Sequence, residues 1–133
     1  MAFNERLKEF RKQKGWSQQQ LADELKVTKR TITNYEIGRS YPTKDVITRL
    51  EELFNVRIDL LMDGKEEFIA EAQERGGYRG KKGAAQLVKD VSAFFAGGEL
   101  SESDKDAVMR ALQEAYWDAK QENKKYTPKK YKT

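Results

Sequence analysis

Apolar residues recur at helical spacing along most of the chain, beginning with Phe3, Leu7 and Phe10 at i, i+4 and i+7. That repeat lays an apolar stripe on one side of a helix. Leu21 and Leu25, with the small Ala22 beside them, predict a second, shorter helix. Its start is marked by Ser17 with Gln20 three residues on, a capping-box pattern, and Trp16 and Leu21 are spaced for a hydrophobic staple. Lys26-Val27 leaves room only for a turn before Thr28, a good N-cap for a third helix that Gly38 would end as a C′ residue.

The third helix is the informative one. At about 100° per residue, Lys29, Arg30, Thr33 and Asn34 fall on one side and Ile32 and Tyr35 on the other. The polar face carries no carboxylate, although 22 of the 133 residues are Asp or Glu. A solvated surface face would account for a polar stripe. A short helix with this face is also the right size to enter the major groove of B-DNA and touch base edges.

Further along, Phe68, Ile69 and Ala72 predict a short helix from Glu66 to Arg75. Gly76, Gly77, Gly80 and Gly83, interleaved with Arg79, Lys81 and Lys82, then suggest a basic hinge whose cations could brush a DNA backbone. A strong stripe follows over 84–96 through Ala84, Leu87, Val88, Val91, Phe94 and Phe95, and Gly97-Gly98 breaks it. Ser101 and Asp104 cap a last helix ending near Asn123, with Val108, Leu112, Ala115 and Tyr116 along one side and Met109 and Trp117 flanking. These two helices predict a hairpin over 84–123, and a lone hairpin cannot close a core. Its cover is either the N-terminal domain or, as favoured here, a second copy of the chain. Leu87, Val91, Phe94, Phe95, Leu112, Tyr116 and Trp117 are the candidate dimer contacts, although the aromatic clusters could instead line a ligand site. Residues 124–133 hold five lysines and no acid, a solubilising tail or a site of phosphate or partner contact.

Composition narrows the chemistry. With 38% hydrophobic and 36% charged residues and only two prolines, the chain suits two modest helical units, an all-α protein. It has no cysteine and no histidine, which removes disulfides, thiolate nucleophiles, Cys/His metal sites and the commonest general base. No phosphate-cradling motif of Walker or Rossmann spacing occurs, so neither an enzyme nor a bound cofactor or metal is expected. No apolar run is long enough for a membrane span or leader, which suggests a cytoplasmic protein. The net charge of +4 divides evenly: residues 1–64 carry 12 Lys and Arg against 10 Asp and Glu, and residues 65–133 carry 14 against 12. Bulk charge therefore does not locate a DNA face; local placement does.

Residues 3–64 resemble the DNA-binding domain of the Xre/Cro-CI family of bacterial and phage repressors, a five-helix helix-turn-helix fold. The resemblance rests on Phe3, Leu7 and Phe10; on Ser17, Gln18, Leu21 and Ala22; and on Val27, Thr28, Ile32, Tyr35, Glu36 and Gly38. Pro42, Val46, Leu50, Phe54 and the closing Asp59-Leu60-Leu61 complete it. It implies that Thr28, Lys29, Arg30, Thr33 and Asn34 face bases of double-stranded DNA. Gln18, Arg39, Ser40, Lys44 and Arg11 would meet phosphates, and Arg11 and Glu36 would bridge the first and third helices. Lys26 stands where the family often has glycine, and Ile37 where it often has a polar residue. The function implied is a homodimeric regulator, a repressor on a palindromic operator. The other reading is an interaction scaffold or antitoxin-type module built on the same fold. The organisation expected is a DNA-binding domain over 1–64, a linker over 65–83, a dimerisation hairpin over 84–123 and a basic tail.

Overall fold

A computed structural model describes residues 2–98 and 100–125, with side chains to 121. Among these residues it is all helix: α1 (Phe3–Gln13), α2 (Gln18–Leu25), α3 (Lys29–Glu36), α4 (Lys44–Phe54), a 3-10 turn (Ile58–Leu60), α5 (Gly64–Phe95) and α6 (Glu102–Lys125). The chain divides into two compact units between Gln86 and Leu87. None of the described helices is long and apolar enough to cross a membrane.

The first unit closes around Phe3, Leu7, Leu21, Leu25, Ile32, Leu50, Leu61 and Met62, all essentially without solvent exposure. Aromatic rings tie the helices further. Phe3 meets Tyr35 edge-on at 6.2 Å and Phe10 stacks on Phe54 at 5.3 Å. The caps are as the residue types dictate. Ser17 Oγ accepts the Gln20 amide at 3.1 Å while Gln20 Oε1 accepts the Ser17 amide at 2.7 Å, and Thr28 Oγ1 accepts the Thr31 amide at 3.1 Å. Thr43 caps α4 in the same manner, accepting from Val46 at 3.5 Å.

Two residues without glycine's freedom adopt the left-handed conformation, Asn55 (φ 52°) and Lys26 (φ 58°). Asparagine tolerates it; lysine does so at a cost of about 1–2 kcal/mol. Lys26 therefore holds a glycine's backbone without being one. Lys26→Gly is expected to stabilise the fold by about 1 kcal/mol, since the strain relieved outweighs glycine's extra freedom in the unfolded chain. A thermal melt of the two proteins checks this, and the variant should melt higher.

The second half of the first unit differs from the sequence expectation. Asp59-Leu60-Leu61 makes only a 3-10 turn and its exit, so the fifth helix begins at Gly64. There is no break between the short helix and a hinge over 76–83. Helix runs from Gly64 to Phe95 with one interruption, at Gly77 (φ 63°, ψ −149°). That combination is open essentially to glycine alone. Just beyond it the chain returns so close to itself that a Cβ on Gly80 would overlap the Ala72 carbonyl oxygen. The glycines thus serve one sharp bend and one close packing contact. Residues 65–86 belong to the first unit, with Phe68, Ala70, Ala72 and Ala84 buried, so that unit does not end at Gly64.

In the second unit Ser101 Oγ accepts the Asp104 amide at 3.1 Å, opening α6. The expected stripe is rotated. Met109 is the buried residue of α6, with Lys105, Gln113, Tyr116 and Trp117 half-buried along the same side, whereas Val108, Leu112 and Ala115 are exposed. A two-helix seam covers only a narrow strip of α6, and the 105–109–113–116 strip has taken it. Phe95 is buried, so it is not free to face a second copy; Phe94 is 81% exposed, and Leu87 and Val91 are half-buried. The tail residues from 126 onward lie outside the described residues.

Candidate nucleic-acid interface

Helix α3 is held from behind and left open in front. Ile32, Tyr35 and Glu36 are buried, while Lys29 and Arg30 in its first turn are exposed and make no hydrogen bond or ion pair among the described residues. Asn34 is half-buried, and its carbonyl accepts the Arg39 amide at 2.9 Å, which fixes the loop leaving the helix. Thr28 is exposed, its hydroxyl engaged in capping α3.

The brace behind α3 is polar. Arg11 Nε and Nη2 donate to the two carboxylate oxygens of Glu36 at 2.7 and 3.0 Å, a forked pair. The Glu36 side chain is 1% exposed and that of Arg11 12%. Arg11 Nη1 donates to the Trp16 carbonyl at 2.8 Å, so the guanidinium is committed on every side to the fold. Gln18 completes the brace: its Nε2 donates to Glu36 Oε1 at 3.2 Å, and its Oε1 accepts from the Thr33 hydroxyl at 3.2 Å. The side chains of Arg11, Gln18 and Thr33 thus meet one another's network rather than stand free in solvent. Each was expected to touch DNA.

The loop between α3 and α4 carries Arg39 and Lys44 fully exposed and Ser40 half-buried. From Thr28 to Lys44 the only acid is Glu36, buried and neutralised by Arg11. The outer surface of this stretch is therefore purely cationic and neutral, with Lys29, Arg30, Arg39 and Lys44 its charges.

Four residues beyond Gly64 shape the same loop, and sequence reasoning assigned none of them. Gln73 clamps Tyr41 in both directions, its Oε1 accepting the Tyr41 amide at 3.0 Å and its Nε2 donating to the Tyr41 carbonyl at 2.9 Å. Glu74 accepts the Lys44 amide at 3.2 Å. Glu66 accepts the Phe3 amide at 2.8 Å and the Tyr41 hydroxyl at 3.5 Å. Burial first, then the Glu66 carboxylate, pushes the Tyr41 phenol up to about 12. Lys81 donates to the Arg39 carbonyl and lies over the Tyr41 ring, 5.8 Å from its centroid. Partial burial there lowers the Lys81 ammonium from its ordinary pKa. A glycine-rich basic stretch reads as a hinge, and the only signal against that was the spacing of Gly77 and Gly80.

A helix-turn-helix family model matches residues 7–61, the span of α1 to the 3-10 turn. The HTH-type transcriptional regulator ImmR of Bacillus subtilis is 31% identical over 84% of this chain and 89% of its own length. The chain belongs to the Xre/Cro-CI family of helix-turn-helix regulators. The immunity repressor protein of Bacillus phage phi105 is 24% identical over 99% of this chain and 96% of its own. The HTH-type transcriptional activator BcrR of Enterococcus faecalis is 37% identical over 56% of this chain, which spans only 37% of the length of BcrR. No solved structure matches the chain.

Proposed function

We propose that the protein is a homodimeric, sequence-specific repressor of transcription that reads a two-fold DNA site with α3. The observation that carries this reading is the face from Thr28 to Lys44, on which every exposed charge is positive and the one acid is hidden. A merely solvated helix face has no need to be cleared of carboxylates; a face that must approach phosphates does. The match to the phi105 immunity repressor along nearly its whole length favours repression over activation.

In this reading Arg30 and Lys29 enter the groove first and donate to guanine O6 and N7, Arg30 as a planar fork and Lys29 as a point donor. Asn34, one turn later, suits adenine, and the Thr28 methyl suits thymine. Arg39, Ser40 and Lys44 grip the phosphate backbone, and Gln18 offers its amide at the start of α2 while its side chain braces α3. Arg11 and Thr33 act from behind, holding α3 in position. The exposed Phe94, Val108 and Leu112 support a second copy as the cover of the C-terminal hairpin.

Selection of bound sites from random DNA tests the whole reading, because it reports half-site, symmetry and spacing together. Two matching half-sites about one helical turn apart are expected. Against the selected site, Arg30→Ala should cost about 1–3 kcal/mol and flatten preference at one base pair of each half-site. An unchanged preference profile would remove Arg30 from base readout, and unrelated selected sequences would sink the proposal.

A further inference from the structure

Beyond the helix-turn-helix match, the bend at Gly77 turns a second basic segment towards the loop that leaves α3. Lys81 Nζ donates to the carbonyl of Arg39, the residue best placed to meet the backbone next to the recognition helix. Lys81 keeps two further N–H donors after that bond, being a three-donor ammonium. Lys82 follows it at about 100° around the helix, exposed and without a hydrogen bond or ion pair among the described residues. The nearby acids are engaged elsewhere: Glu71 pairs with Arg75 at 2.7 Å and Glu74 accepts the Lys44 amide at 3.2 Å.

The approach is built rather than incidental. Only glycine suits the φ and ψ of residue 77, and only glycine fits at 80 against the Ala72 carbonyl. Together they fix where the following turn of helix lies. Tyr41, clamped on both sides by Gln73, supplies the floor under the Lys81 stem. A lysine held over an aromatic ring with its head at the rim of a cationic loop is arranged to extend that loop's charge.

We propose that Lys81 and Lys82 form an accessory clamp on the DNA phosphate backbone, continuous with Arg39 and lying outside the family's DNA-binding motif. The clamp rests on the DNA-binding reading above. It reads no sequence; it adds two neutralised phosphates per subunit and so adds to the salt dependence of binding on any duplex.

The test measures binding of the full-length protein to a mixed-sequence duplex as a function of salt. Each neutralised phosphate contributes about −0.9 to the slope of log K against log salt. Lys82→Ala and Lys81→Gln should each flatten the slope by about that amount per subunit, while Lys81→Arg should keep it. Thermal midpoints of the same variants separate a contact from a strut. A lowered midpoint for Lys81→Gln with an unchanged slope makes Lys81 a loop support only and overturns the clamp, as do unchanged slopes in both charge-removing variants. If the wild type itself binds duplex without salt dependence, the DNA-binding reading fails and the clamp fails with it.

Discussion

A chain cut after Gly64 is expected to lose much of its stability, whereas one cut after Gln86 is expected to fold cooperatively. The helix-turn-helix match ends at residue 61, which makes a cut at 64 look safe. The structure argues otherwise. That cut removes the carboxylate that accepts the Phe3 amide, both bonds between Gln73 and Tyr41, the Glu74 cap on α4 and the Lys81 bond to Arg39. It also removes Ala70 from the core cluster. At about 1 kcal/mol per hydrogen bond, the polar contacts alone amount to roughly 3–6 kcal/mol, a large part of a typical 5–15 kcal/mol total. The Phe3 amide and the loop from Arg39 to Lys44 would also lose their partners, so the damage should fall on the DNA-facing loop. Circular dichroism melts of the two truncations decide the matter. Equal midpoints would mean that residues 65–86 are passengers.

The second large effect should come from Glu36→Ala. With its side chain 1% exposed, Glu36 is the counter-charge of an Arg11 that is itself 12% exposed. Removing one partner of a buried pair leaves the other charge desolvated and uncompensated, typically about 3–5 kcal/mol. The loss also frees Gln18 Nε2 and lets α3 shift on α1, so binding should weaken although no DNA contact has been touched. Arg11→Met combined with Glu36→Leu should recover much of the stability, since no charge is then left buried. Denaturant titration of the single and double variants measures this. A single variant as stable as wild type would show that the pair contributes nothing to the fold.

The N-terminal fold was legible because its signals are local. Ser17 with Gln20, Thr28, and the stripes through Leu7, Leu21 and Leu25 are each set by residues within two turns of one another, and the caps lie where those residue types put them. What stayed hidden depends on distance in sequence. Nothing near Gln73 or Lys81 says that they return to Tyr41 and Arg39, more than thirty residues earlier. Glycine is ambiguous in the same way: composition alone does not separate a flexible stretch from Gly77, whose backbone angles demand it, or Gly80, which must pass close to Ala72. On α6 the apolar residues form a band wider than one seam, so periodicity could not say whether Met109 or Val108 would face inward. For the interface, the exposed cations Lys29, Arg30, Arg39 and Lys44 could be named from sequence. That Arg11, Gln18 and Thr33 face one another could not, because an engaged side chain and a free one are spelled alike.

The shortness of α3 sets a limit on how much one copy of this protein can know about a DNA sequence. Eight helical residues extend about 12 Å, about the width of a major groove. At 3.4 Å per base pair such a helix inspects only about four base pairs. A four-letter address recurs by chance about once in 250 base pairs, far too often among the roughly 10⁶ or more competing sites of a genome. Two copies reading together would lengthen the address to about eight letters and thin the chance matches to about one in 65,000.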